Sequence, residues 1–261
     1  MEQSCSRIHS MRAMRRLGVL VCAGLLFALS AYGAQEIVVT VDQGNPPFMF
    51  QHAGEAYGIY PTLLNAVFKR MNVDASVKTL PWKRALKMGE LGEAGIGGIY
   101  KTAERQKIYD YSAPLYTERV LLYVRMDDVF AFNTLPDLKG KMIGSLLGWS
   151  YGDAFDQARQ AGTVTVHEVP NDKKNFYKLV HGRLDGVIAL ELAGDLVLAR
   201  EGYRDRIVAL EMPVAVNETY LVFAKRSQRK RFLDRFNATL KAMRDDGTYD
   251  RVIQTYLAQD K

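Results

Sequence analysis

The chain has 261 residues, 48% hydrophobic and 25% charged, which is enough for one large cored domain or two smaller ones. Its formal charge of +6 falls to 31 basic against 28 acidic side chains once Arg7, Arg12, Arg15, Arg16 and Glu2 are set aside. No basic stripe with interleaved aromatics appears, so the composition argues against nucleic acid as a partner.

Those first residues read as a segment outside the fold. Arg12, Arg15 and Arg16 precede a nearly unbroken apolar run from Leu17 to Leu29, and small residues follow at Ser30, Ala31, Gly33 and Ala34. That order predicts a secretory signal peptide over residues 1–34, cleaved after Gly33 or Ala34. The apolar run is shorter than the ~20 residues a membrane helix needs. Val21 precedes Cys22 where a lipoprotein site wants a small residue. Cys5 and Cys22 both lie in this leader, so no disulfide and no thiolate metal site is expected in the mature chain.

The mature chain opens on Ile37-Val38-Val39-Thr40-Val41, a β-branched run typical of a buried strand, stopped by Asp42 to Pro47. Leu63, Leu64, Val67, Phe68 and Met71 recur at helical spacing and predict a helix over 60–71. A strand is expected over 73–80. Pro81 opens a helix through Met88, and the glycine-rich stretch from Ala94 to Ile99 is the next strand. This β-α-β-α-β order implies a mainly parallel sheet with helices on its faces.

An extended segment, Leu115 to Arg125, leads to a second such unit. Strands are expected over 141–147, 163–168 and 185–190, with helices over 150–161, 171–181 and 191–200. A strand over 219–224 could return to the first sheet. Two helices follow, 228–244 and 248–258, broken by Asp245-Asp246-Gly247. Two α/β lobes joined by two crossing strands fit this order, with a ligand cleft where the lobes face each other.

Seven collinear stretches then suggest a family. PPFMF, YGIYPTLLNAVFKRMNV and LPWKRAL resemble the start of family 3 extracellular solute-binding proteins, the polar amino acid binders of ABC importers. TAERQKIYDYSAPLY is similar to their T-x-E-R…F-S-x-P-Y segment. LPDLKGKMIGSLLGWSYGDAF, HGRLDGVIA and AMRDDGTYDRVIQTYL resemble their later motifs in the right order. The resemblance implies a type II periplasmic-binding-protein fold, with a first lobe of residues 35–124 and 219–261 and a second lobe of residues 125–218. Hinges are expected near Tyr123-Val124-Arg125 and Asn217-Glu218-Thr219. It also implies a periplasmic monomer that passes a small carboxylate-bearing ligand to a membrane permease, with no cofactor, no bound metal and no nucleic acid.

By the same resemblance Arg105 pairs with the ligand carboxylate. A planar, always charged guanidinium offers two parallel donors for that task. The plain alternative is a surface arginine following Glu104 on a short helix. Gly148-Trp149-Ser150-Tyr151 lies between a strand and a helix, where backbone amides favour an anion and Ser150 would serve as both N-cap and contact. Phe48, Trp82, Tyr116 and Trp149 are candidate walls of the slot, with ordinary packing as the alternative. Asp42 would meet a basic group on the ligand or cap its own turn.

The sequence departs from the family pattern in two places. The acid that receives the ligand ammonium is replaced by Leu190, and Glu191 follows it. Gly97, Gly98 and Tyr100 stand where serine donors are usual, so Gly98 and Tyr100 join the candidate site. A ligand other than a standard α-amino acid is therefore expected: a modified amino acid, a small peptide-like compound, or an acid without an α-ammonium.

Some proteins of this fold are enzymes, notably a dehydratase of cyclohexadienyl acids, and Glu191 could act as a general acid there. Against this, His52, His167 and His181 are widely spaced and no hydrolase, zinc-protease or nucleotide-loop motif occurs. The binding reading is preferred to an enzyme. A sensor that docks on a membrane partner is a third reading.

Overall fold

The computed structural model describes residues 36–259. The expected leader, residues 1–34, lies outside the described residues, as do Cys5 and Cys22. No helix among the described residues is long and apolar enough to cross a membrane.

The first strand, β1 (Ile37–Asp42), buries Val39 and Val41 completely. After it the chain makes a small antiparallel sheet of β2 (Gly44–Asn45), β3 (Met49–His52) and β4 (Glu55–Tyr57). Its strands are two to four residues long, too short for a period-2 pattern to register, and the sequence reading saw only a turn there. Helix α1 (Ile59–Met71) follows with the expected apolar stripe and ends on Asn72 in the left-handed conformation. Then come β5 (Ala75–Leu80), α2 (Trp82–Leu91) and β6 (Gly95–Tyr100). Pro81 sits one place before the first turn of α2, as its N-cap.

A short helix α3 (Ala103–Ile108) and strand β7 (Tyr109–Tyr111) lead into β8 (Tyr116–Arg125). The second half comprises β9 (Met142–Leu146), α4 (Asp153–Gln160), β10 (Thr165–Val169), α5 (Asp172–Val180), β11 (Gly186–Leu190), α6 (Glu191–Glu201) and β12 (Ile207–Ala209). The chain returns along β13 (Ala215–Ala224) and closes with α7 (Lys230–Asp245) and α8 (Thr248–Gln259). Two expectations shift here. Helix α4 starts at Asp153, not Ser150, because Gly148 and Gly152 hold left-handed φ values of 75° and 108° that keep the intervening chain out of a helix. Strand β13 begins four residues before Thr219, since residues 215–218 alternate in burial and find a partner in β8.

The main sheet runs β10-β9-β11-β8-β13-β6-β1-β5, with β12 on β8 and β7 on β13. Strands β5, β1 and β6 are parallel and form one lobe with their helices. Strands β10, β9 and β11 are parallel and form the other. The two long strands β8 and β13 cross between the lobes, antiparallel to each other and to their outer neighbours. Residues 116–120 of β8 pair with 215–219 of β13, whereas 120–123 pair with β11 and 123–125 with β12. Tyr123 to Arg125 are thus held between β11 and β12, on the second lobe's side of the main sheet. The exchange of partners falls nearer Glu118 to Val120 than the sequence suggested.

One hydrophobic core runs from the first lobe into the second, and a smaller one lies within the second. In the first, Phe68 of α1 meets Phe232 and Phe236 of α7 with ring centroids 6.0 and 5.9 Å apart. Full burial of one such ring is worth about 1.5–3 kcal/mol. In the second, Tyr123 of β8 packs edge-on to Phe176 of α5 at 5.0 Å, beside Leu179, Val187 and Leu198. Gly194 lets α6 lie against this ring: a Cβ there would come within 2.3 Å of the Tyr123 ring and hydroxyl. The hydroxyl is itself fixed, donating to the Glu191 carbonyl at 3.1 Å. Gly194→Ala is therefore expected to overpack this contact and cost about 1–3 kcal/mol. Chemical denaturation reads that cost, and an unchanged midpoint would contradict the packing described.

Candidate ligand-binding site

The strand ends of both lobes converge on one cleft. The first lobe contributes Asp42 from β1, the start of α2, the end of β6 and helix α3. The second contributes the loop after β9 and the residues that follow β10. Three cavities lie along this line. A small one of about 10 Å³ is bounded by Trp82, Gly98, Tyr100, Arg105, Trp149 and Ser150. On one side, about 350 Å³ opens between α3 and α4, and Arg105, Trp149 and Ser150 also border it. On the other, about 410 Å³ is lined by Asp42, Gln51, Trp82, Lys83, Trp149 and Asn171, among others.

Arg105 is the cation of the small cavity. Thr102 caps α3, its hydroxyl accepting from the Arg105 amide at 3.2 Å, and Glu104 sits in the first turn where the helix favours an acid. The guanidinium is partly buried, and its Nη1 donates to the Tyr100 carbonyl at 3.2 Å. Burial lowers its pKa, opposed by Tyr111 and Asp156 nearby, yet an arginine remains charged at any physiological pH. The surface alternative does not describe this residue.

Across the cleft stands Ser150. Its hydroxyl donates to Asp156 and accepts from the Gly152 amide, so it braces the loop and is not an N-cap; Gly152 holds that position. The expected row of open amides is also partly used. The Gly148 amide donates to Glu168 at 2.9 Å and the Trp149 amide to the Leu146 carbonyl at 3.2 Å.

Two tryptophans meet over the gap. Trp82 and Trp149 have ring centroids 5.7 Å apart at 42° and are almost fully buried. The Trp149 indole nitrogen donates to Asp42 at 2.9 Å, joining the lobes. Asp42 also accepts from the Gly44 amide at 3.2 Å; burial raises its pKa, and the Trp149 bond opposes that. The Trp82 nitrogen is buried and finds no partner among the described residues. Further bridges run from the Ala103 amide to the Asp153 carboxylate, at 3.2 Å, and from the Asn217 amide to the Tyr151 carbonyl, at 3.0 Å.

Gly98 is the bulged residue where β6 slips against β13, with a φ of 75°. A Cβ there would lie 2.6 Å from the Tyr60 ring, so only glycine keeps this wall of the cavity in place. Phe48 and Tyr116 are not cavity walls. Phe48 is fully buried, stacked on Tyr60 at 5.7 Å and edge-on to Tyr116 at 5.9 Å, in the core beneath the cleft. Leu190 is buried at the end of β11. Glu191 turns away into an ion pair with Arg119 at 2.6 Å, as the first residue of α6.

The sequence reading missed Glu118. It is fully buried on β8, hydrogen-bonded by the hydroxyls of Tyr60 and Tyr100, and burial pushes its pKa up to about 7 against the lowering effect of those bonds. The signal was present: in a strand, Glu118 shares a face with Tyr116 and Val120, opposite Thr117 and Arg119. Asp172, first residue of α5, is a second buried acid, also raised to about 7 by burial.

Comparison with known proteins settles the lineage. Residues 37–259 match the bacterial extracellular solute-binding proteins, family 3. The chain belongs to that family. It is 28% identical to the ABC transporter arginine-binding protein 1 of Escherichia coli K12 over 255 residues, covering 92% of this chain and 99% of that one. It is 25% identical to the L-cystine-binding protein TcyJ of the same strain over 251 residues, covering 91% of this chain and 87% of that protein. Among solved structures, the substrate-binding protein of an amino acid ABC transporter superposes with a TM-score of 0.68 at 24% identity, covering 85% of this chain and 98% of the other. These relatives carry the names of binding proteins, not of enzymes. As a family member, this chain is a solute-binding protein of the type II, two-lobed fold.

The two buried acids dictate a pH dependence. Both titrate near 7 in the folded chain, against ordinary values of 4.5 for Glu118 and 3.8 for Asp172. Between those values and 7 the folded state binds more protons than the unfolded one. Their contribution to stability is therefore complete below about pH 4 and lost as the pH rises through 7. At ~1.4 kcal/mol per unit this amounts to a few kcal/mol for each. Melting temperature is expected to fall from pH 5 to pH 8, and pairing Glu118→Gln with Asp172→Asn should flatten the profile. A wild-type profile that rises over this range would refute the assignment.

Proposed function

We propose that this solute-binding protein captures a small carboxylate-bearing solute, an amino acid or a related compound, by closure of its two lobes. It then delivers the solute to the permease of an ABC importer from the periplasm, acting as a monomer without a cofactor. The single observation that carries the reading is the partly buried guanidinium of Arg105, which faces Ser150 and Trp149 of the opposite lobe. A charge held there is costly unless an anion meets it. An anion touched from both sides favours the closed state over the open one, and that difference drives closure.

In this reading the expected boundaries at 124/125 and 218/219 move to the exchange of partners on the crossing strands, so that residues 121–125 go with the second lobe. We place the bending points where β8 and β13 exchange partners, near Glu118 to Val120 and Ala215 to Thr219. A few strand-end residues suffice to absorb such a rotation. Membership in a family of importer components supports the delivery step. The roles of Ser150, Trp82, Trp149, Tyr100, Gly98 and Asp42 are part of the proposal. Glu191, Phe48 and Tyr116 are given no direct contact, because an ion pair and core packing occupy them.

Arg105→Ala tests the reading on the acid that mass spectrometry finds bound to the purified protein. Removing one partner of a desolvated charge pair costs about 2–5 kcal/mol, so affinity should fall by roughly thirty-fold or more. The melting temperature should hardly change, since the guanidinium makes one backbone hydrogen bond and no ion pair among the described residues. Arg105→Lys should recover part of the loss, keeping the charge but not the paired donors. Unaltered affinity in Arg105→Ala would overturn the proposal.

A further inference from the structure

Hydrogen bonding around Arg105 is unbalanced, with opposite signs on the two lobes. The first lobe has donors to spare. The partly buried Arg105 guanidinium donates one N–H, to the Tyr100 carbonyl at 3.2 Å. Trp82, a wall of the same small cavity, is more than nine-tenths buried, and its indole nitrogen has no partner among the described residues. A buried donor without an acceptor is costly and is relieved by a guest that supplies one.

The second lobe has an acceptor to spare. Asp156, on α4, borders the cavity of about 350 Å³ that Arg105 also borders. That space is within the range of small-molecule sites, roughly 300–1,000 Å³. One oxygen of Asp156, Oδ2, accepts from the Ser150 hydroxyl. The other, Oδ1, is buried and accepts no hydrogen bond among the described residues. Arg159 stands 3.6 Å from it, beyond hydrogen-bond reach, and is shared with Glu168 at 3.5 Å. The remaining acids are engaged or face elsewhere. Asp153 accepts from the Ala103 amide through both oxygens, and the exposed Glu104 pairs with Lys107 at 2.6 Å. Asp42 lines the other large compartment, which Arg105 does not border, and accepts from the Trp149 indole and the Gly44 amide.

Charge points the same way. With Glu104 answered by Lys107, the acids Asp153 and Asp156 balance Arg105 and Arg159 along the walls of this cavity. A bare anion would upset that balance, whereas a guest carrying both charges keeps it. Asp156 is near enough to Arg105 to oppose the lowering of its pKa by burial, so one small guest can reach both.

We infer that Asp156 receives an ammonium on the guest, so that the ligand is a zwitterion whose carboxylate meets Arg105 of the first lobe and whose ammonium meets Asp156 of the second. This rests on the carboxylate-capture reading and adds the class of ligand and the residue that selects it. Leu190, buried and apolar, offers an ammonium nothing, and the acid comes from α4 instead. Parting of the lobes opens this face to the guest. A guest gripped by a different charge on each lobe favours the closed state over the open one.

The test uses the full mature protein. Melting-temperature shifts against the common L-amino acids and L-cystine select the tightest ligand. Calorimetry then compares it with its des-amino acid, as L-arginine with 5-guanidinopentanoate or L-cystine with 3,3′-dithiodipropionate. The amino acid is expected to bind about ten-fold or more tightly. Asp156→Asn, which keeps an acceptor for Ser150 and removes the charge, should bring that ratio below about three-fold. A ratio that Asp156→Asn leaves in place, or that collapses only in Asp42→Asn, overturns the inference. So does a des-amino acid that binds as well as its amino acid in the wild type, or a failure of every amino acid to bind. Carboxylate capture still stands in those cases if Arg105→Ala abolishes binding of the des-amino acid. Binding that survives Arg105→Ala overturns the capture reading itself.

Discussion

Everything in this molecule hangs on the seam between β8 and β13. Over five residue pairs, from Tyr116 with Thr219 to Val120 with Ala215, these strands are the hydrogen-bonded join between the two halves of the main sheet. The first lobe attaches through β13 and the second through β8. Glu118 lies in the middle of the seam, opposite Asn217, and is tied to α1 by Tyr60 and to β6 by Tyr100. A buried acid without a basic partner is tolerated only when donors surround it. Here two phenol hydroxyls perform that task and thereby fix the geometry of the crossing.

The cleft above the seam is assembled from opposites. Its cation, Arg105, is a first-lobe residue whose guanidinium bonds to backbone. Its aromatic partition is shared, with Trp82 from one side and Trp149 from the other. Its acid, Asp42, is already bonded to the opposite lobe through the Trp149 indole. The lobes thus meet through a tilted aromatic contact and the Trp149–Asp42 hydrogen bond near the ligand line, with the Asp153 and Asn217 contacts flanking it. Such small polar contacts exchange readily with solvent or with a guest, which suits a surface that must open and close.

The placement of Gly98 and Tyr100 has a structural logic. The bulge at Gly98 makes room for the Tyr60 ring, and Tyr100 reaches past it to Glu118. Gly98, the two tyrosines and the acid therefore form one unit, and an exchange at any of them disturbs the others.

Much of this was legible in the chain itself. The apolar spacing of α1, the β-branched run of β1, and the order of seven motifs each reflect local physics or a shared ancestry, and they determined the fold class and singled out Arg105. Helix starts near Ser150 were misplaced because positive φ at Gly148 and Gly152 depends on how the loop is held. Phe48 packs on Tyr60 and Glu191 pairs with Arg119, placements the chain does not announce, since aromatic and acidic side chains look alike in sequence whether they face a cleft, a core or an arginine. The pairing of Glu118 with Tyr60 and Tyr100, the stack of Trp82 on Trp149, and the bond from Trp149 to Asp42 join residues 18 to 107 positions apart. Periodicity specifies which face a side chain takes. Which partner it meets there is decided only when the sheets and helices pack.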